Sequence, residues 1–105
     1  VAPADDALVN AIRHALTQAG IPESGYSTAR GRPQGTGFDA WKIMSPQPRA
    51  GVDWYEDGHE AGGPWDTPSA PLLLLERALH TAGFQTEQGI DAGTLYLIVW
   101  RHGPF

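Results

Sequence analysis

Apolar residues recur with the period of a helix along two stretches of the chain, and both stretches end alike. Leu8, Ala11, Ile12, Ala15, Leu16 and Ala19 form one stripe at a spacing of about 3.6 residues, and Leu72, Leu75, Ala78, Leu79 and Ala82 form another. The segment His14-Ala15-Leu16-Thr17-Gln18-Ala19-Gly20-Ile21 is echoed by Arg77-Ala78-Leu79-His80-Thr81-Ala82-Gly83-Phe84. Each stops at a Gly that an apolar residue follows. That pattern predicts a helix closed by a left-handed Gly, with Leu16 clasping Ile21 and Leu79 clasping Phe84. The first helix is expected from Asp6 to Ala19 with Asp5 as its N-cap. The second starts at a Ser69 cap, with Pro71 in the tolerant first turn. Leu73 shares a face with Glu76, Arg77 and His80, which makes it a candidate exposed apolar residue.

Between and after the helices the pattern changes to alternation. A first strand is expected at Gly25 to Arg30 and a second at Phe38 to Met44, joined by a type I turn at Pro33 and Gly35. Pro46-Gln47-Pro48 then leads into Val52 to Glu56, completing a three-stranded antiparallel meander in which Val52 and Trp54 point the same way. Residues 57–68 read as an irregular loop. A short strand from Phe84 to about Gln88 turns at Asp91-Ala92-Gly93 into Thr94 to Trp100. In that last segment Leu95, Leu97 and Val99 face one side while Tyr96, Ile98 and Trp100 face the other, as in a central strand. The predicted order is αβββαββ: two helices on one face of a mostly antiparallel sheet of about five strands, a two-layer α/β sandwich. The recurring Ala-Leu-x-x-Ala-Gly-apolar signature hints at a duplicated αββ unit, although helices ending in Gly also converge on so short a match.

Length and composition narrow this picture. The 105 residues suit one α+β domain, residues 1–105, with a single core. The 13 Gly and 9 Pro, against 41% hydrophobic residues, point to long turn-rich connections around a compact centre. With no Cys, disulfides and thiolate metal sites are excluded, and an intracellular, cytoplasmic location is the default expectation. No apolar run approaches the roughly 20 residues of a membrane span, and the opening residues do not resemble a signal peptide. The many Ala, Gly and Pro, and the use of Arg with a single Lys, fit a GC-rich bacterial genome. The formal charge of −5 disfavours nucleic acid as a bulk electrostatic partner.

Candidate chemistry then follows from the alternation. If Leu95, Leu97 and Val99 pack under the helices, Tyr96, Ile98 and Trp100 are left on the opposite face, where Trp41 and Ile43 can join them. An open apolar sheet face marks a partner surface, and Trp and Tyr are favoured there. The first reading is therefore a small acidic, non-enzymatic interaction or regulatory domain that binds another protein or a second copy of itself. Trp41, Trp54, Tyr96, Ile98 and Trp100 are its contact residues, and Asp53 and Glu56 give complementarity to a basic partner. The competing reading is that the chain's own loops, Trp65 among them, seal this face.

Two alternatives rest on other residues. Arg30-Gly31-Arg32-Pro33 resembles the core of the AT-hook, a segment that lays Arg-Gly-Arg into the narrow minor groove of A·T-rich DNA. The resemblance implies a DNA-associated accessory protein using Arg30 and Arg32. It covers four residues, and Ala29 and Gln34 stand where AT-hooks carry further Lys or Arg. The acidic stretch with His59 and Glu60 is the centre of a second alternative, a metal-dependent hydrolase, yet no paired ligand spacing such as His-x-x-x-His is present. His14, His80 and His102 read as surface histidines. No nucleophile elbow, phosphate-binding loop or dinucleotide fingerprint occurs, so no catalytic residue, metal ligand or cofactor is assigned.

Overall fold

A computed structural model of the chain describes the backbone of residues 4–27 and 32–101 and the side chains of residues 7–25 and 34–101. The elements in order are α1 (Ala4–Gln18), β1 (Gly25–Ser27), β2 (Arg32–Gln34), β3 (Gly37–Ile43), β4 (Arg49–Glu56), β5 (His59–Glu60), α2 (Ala70–Thr81), β6 (Phe84–Asp91) and β7 (Thr94–Arg101). The main sheet is antiparallel and runs β3-β4-β7-β6, with β5 also paired to β4. Two hairpins, β3–β4 and β6–β7, each preceded by a helix, thus meet through their second strands. Both helices pack on one face, giving the expected two-layer α+β sandwich.

The helix ends are built as the repeated signature requires. Gly20 has φ 80° and Gly83 φ 93°, both in the left-handed region that side chains with a Cβ avoid. After α1 the Ile21 N–H donates to Leu16 O at 3.1 Å and the Gly20 N–H to Thr17 O at 3.0 Å, the paired bonds of a Schellman closure. Leu16, Ile21, Leu79 and Phe84 are all buried. At the other end of α2 the Ser69 hydroxyl accepts the Leu72 N–H at 3.3 Å. Helix α1 begins at Ala4, so Asp5 lies inside its first turn instead of capping it.

One continuous core joins the layers: Leu8, Ile12, Leu16, Leu72, Leu75 and Leu79 from the helices meet Phe38, Ala40, Val52, Leu95, Leu97 and Val99 from the strands. Leu73 and Leu74 are both exposed on α2.

Three expectations about the strands are corrected. The first strand does not join the meander. Residues 22–24 take the place beside β3 instead, with the Phe38 N–H donating to Pro22 O at 3.0 Å and the Ser24 N–H to Phe38 O at 2.8 Å. A Cβ at Gly37 would come within 2.6 Å of that backbone, so the sequence permits the approach only because residue 37 is Gly. Strands β1 and β2 form a separate two-stranded ribbon in which Pro33 pairs with Tyr26 rather than sitting in a turn. Residues 57–68 are not wholly irregular. Asp57 (φ 51°) and Gly58 (φ 79°) form a tight turn, and β5 folds back on β4. Ala92 (φ 51°) and Gly93 (φ 81°) make the same kind of turn between β6 and β7, which lets β6 extend to Asp91.

Because nothing lies within 4 Å of a Cβ built at Gly20 or Gly83, an Ala there meets no clash and tests backbone conformation alone. Gly20→Ala and Gly83→Ala are each expected to lower unfolding free energy by about 1 kcal/mol, and Gly→Asn by less, in urea denaturation.

Candidate functional site

Register settles which side chains share the face away from the helices. In β4, Ala50 and Val52 belong to the core, so Gly51, Asp53 and Tyr55 point the other way. In β7, Leu95, Leu97 and Val99 are core residues, and Tyr96, Ile98 and Trp100 lie half-buried opposite them. Trp41 joins them from β3, where it pairs with Gly51. Trp54 and Glu56 do not. Trp54 shares the parity of Val52 and packs against the core, and its indole N–H donates to Glu56 Oε1 at 3.3 Å. The expected contact set therefore splits across the two sides of the sheet, because residues two apart on a strand cannot change faces.

Glycines shape the open face. Trp41 lies over Gly51, where a Cβ would run into the indole, and Tyr96 lies over Gly89, where a Cβ would stand 2.6 Å from the ring. The two rings face each other at 5.8 Å between centroids, tilted by 35°. Trp100 stands apart from them. The Arg49 guanidinium covers it at 4.0 Å from the ring centroid, in a cation–π contact, and donates from Nη2 to Gln47 Oε1 at 3.1 Å. The face thus has a basic, stacked end at Trp100 and an acidic end beyond Tyr96.

The acidic end arises where the two central strands part. Strands β4 and β7 pair only through Ala50↔Val99, Gly51↔Ile98 and Val52↔Leu97. Beyond Val52 they fork, and residues 59–64 fill the gap. Strand β5 and Ala61 bond to β4, the latter through Ala61 N–H to Trp54 O at 2.8 Å. Gly63 O accepts the Leu95 N–H at 2.9 Å, and Pro64 bridges Thr94. Gly62 is wedged between Leu95 O and Asp53 Oδ1, with no room for a Cβ.

Asp53 sits in this fork and is only 3% exposed. Its Oδ1 accepts the Trp54 N–H at 2.8 Å; among the described residues no hydrogen bond reaches Oδ2. Burial pushes its pKa up to about 7, and Glu60, Asp39 and Asp91 add to the rise. Asp39 is its direct cross-strand neighbour. Burial also raises Asp39, against the Arg13 charge, and raises Glu60, helped by Asp91. The Tyr55 hydroxyl is pushed up by burial and then by these acids. A cavity of about 320 Å³ opens here, with Trp41, Tyr55 and Tyr96 as aromatic lining and Asp53, Glu60 and Asp91 as acidic lining.

Other candidates lie elsewhere. His59 and Glu60 are exposed on β5, and no group of three or more His, Cys, Asp or Glu that could hold a metal ion occurs among the described residues. His80 Nε2 lies 2.7 Å from Thr86 Oγ1, which donates to Glu76 Oε2 at 3.2 Å, so the imidazole donates into a surface network. Arg30 and His102, and the Arg32 side chain, lie outside the described residues. Trp65 is exposed and does not seal the open face. A second hollow, of about 500 Å³, runs between the helix C-termini and is lined by Ala15, Ala19, Ala78 and Ala82 with Trp54. Its sequence signal was the pair of Ala residues in each copy of the repeat, whose short side chains leave the space unfilled. It carries few polar groups. No family model matches the chain, and no curated protein or solved structure matches it either.

The fork makes two predictions. Gly62→Ala should cost about 2–3 kcal/mol, since Leu95 O is backbone and cannot step aside, as read from the urea midpoint. Between pH 3.8 and about 7 the folded chain holds the Asp53 proton more tightly than the unfolded chain does. Stability should therefore fall as pH rises through that window and level off above it. Asp53→Asn should remove most of this slope in pH-resolved thermal melts, leaving smaller contributions of the same sign from Asp39 and Glu60.

Proposed function

We propose that this chain is a small acidic, non-enzymatic interaction domain that binds a basic protein partner through the open face of its sheet. The observation that carries this reading is the join of aromatic rings to a buried acid whose charged neighbours, Glu60, Asp39 and Asp91, are all negative. Tyr96, Ile98 and Trp100 project from a central strand, and Trp41 spans the gap to β3. An amphipathic indole or phenol gives contact area at low entropic cost, and the negative charge favours encounter with a positive surface. Self-association through the same face is the competing occupant. The Arg49 charge over Trp100 supplies the opposite sign on the same face, as a two-fold interface would use.

The test compares wild type with Trp100→Ala. Proteins retained from an extract of the native cell on the immobilised wild-type chain should include a basic one. Its affinity, measured by calorimetry, should fall ten-fold or more with Trp100→Ala, while the melting temperature stays near wild type. A partner that binds both chains equally would sink the reading. A particle mass twice that of the chain, reduced by the same substitution, would assign the face to a second copy.

A further inference from the structure

The fork between β4 and β7 holds a buried carboxyl that the chain itself leaves half used. Asp53 is 3% exposed, one oxygen is satisfied by the next backbone N–H, and the other borders the cavity with no hydrogen-bond partner among the described residues. An empty cavity leaves this carboxyl to protonate, and a cation that also donates hydrogen bonds is the ligand that its ionised form would favour. Among the described residues, the charges that act on Asp53 are those of Glu60, Asp39 and Asp91, all negative. Arg13 is committed to Glu23 at 3.0 Å, and Arg49 is stacked on Trp100. Besides Asp53, Glu60, Asp91 and Ile90, the lining is the rings of Trp41, Tyr55 and Tyr96, and the quadrupole of an indole or phenol ring attracts a cation. At about 320 Å³ the cavity lies at the small end of ligand pockets, which run from roughly 300 to 1,000 Å³. That is room for one side chain or a compact ion rather than an extended molecule.

We propose that this cavity receives the guanidinium or ammonium group of a basic side chain from the partner, with the Asp53 carboxylate as its anion and Trp41 and Tyr96 as its aromatic walls. The inference rests on the open-face reading and names what that face recognises. Binding is coupled to a proton. The empty site holds Asp53 protonated in part at neutral pH, so an arriving cation favours ionisation and expels that proton. The groups that face Asp53 are Asp39 from β3, Tyr55 on its own strand, Glu60 from β5, Asp91 from β6 and Tyr96 from β7. The neighbouring acids oppose its ionisation in the empty site and favour the cation in the filled one.

The experiment uses butylguanidinium and two blocked peptides, Gly-Gly-Arg-Gly-Gly and the same peptide with norleucine in place of Arg, followed by amide shifts of the whole chain. Butylguanidinium should give saturable shifts centred on Trp41, Asp53, Asp91 and Tyr96, about ten-fold tighter at pH 8 than at pH 5.5, with proton release in calorimetry. The Arg peptide should bind more tightly than butylguanidinium, and the norleucine peptide should not bind. Asp53→Asn should weaken binding ten-fold or more; Asp91→Asn, at an exposed turn, should weaken it several-fold without touching the core. Absence of saturable shifts at millimolar probe, or equal binding by Asp53→Asn, overturns the proposal. Butylguanidinium binding more tightly than the Arg peptide would assign the cavity to a free cation and overturn the partner side chain as its source. Loss of partner affinity in Trp100→Ala with no cation in the cavity would leave the open-face reading standing and sink this inference alone.

Discussion

Three residue pairs hold the two halves of this molecule in one sheet. Ala50, Gly51 and Val52 of β4 pair with Val99, Ile98 and Leu97 of β7; the other strand ladders lie within a hairpin or with the short β5, and past Val52 the join to β7 continues only through Gly63 and Pro64 among the described residues. So short a seam is held because both helices press on it from one side: Val52, Leu97 and Val99 are buried under Leu and Ile side chains from α1 and α2. Apolar burial, at about 25 cal/mol per Å², then does what three ladder pairs alone would do poorly. The helices in turn are fixed by their Gly closures, since Ile21 and Phe84 leave the left-handed turns already aimed into the same core.

The brevity of the seam also creates the acidic site. Had β4 and β7 stayed paired to their ends, Asp53 would stand on an open face beside Tyr96, wet and ionised. Because they part after Val52, residues 59–64 enter the gap, and Gly62 closes over the Asp53 carboxyl from within the sheet. The carboxyl is thereby buried among other acids, and its proton affinity rises toward neutrality. Sheet geometry and site chemistry share one cause. The same face shows how far glycine governs ring placement, since Trp41 and Tyr96 can lie flat only where Gly51 and Gly89 leave the pleat bare.

The two ends of the open face differ in character for equally local reasons. Arg49 opens β4 and falls beside Trp100, so the indole there is already capped by a cation of the chain itself. At the far end the charges of described residues that act on Asp53 are all negative, and aromatic rings border this acid. That asymmetry gives the face a direction in which a charged partner can be read.

Much of this was legible along the chain, and the division has a physical basis. The helices, the Gly closures, the Ser69 cap and the alternation of Leu95 to Trp100 depend on residues within a few positions of one another, so spacing alone carries them. The same parity rule held that Val52 and Trp54 point one way, and followed through it would have placed Trp54 under the helices and Asp53 on the open face. The sequence by itself therefore determined two amphipathic helices, the two faces of the Leu95 to Trp100 strand and the acidic sign of the molecule. What it left open is non-local. Residues 22–24, rather than β1, flank β3, and β4 and β7 separate after Val52, whereas the fold-back at residues 57–60 is a local turn at Asp57-Gly58 whose signal lay in the chain. The first two outcomes depend on which segments compete for the same strand edge, a contest settled by packing between residues distant in the chain, Glu23 with Phe38 and Val52 with Leu97. Only the tertiary structure could decide it, and with it the burial of Asp53.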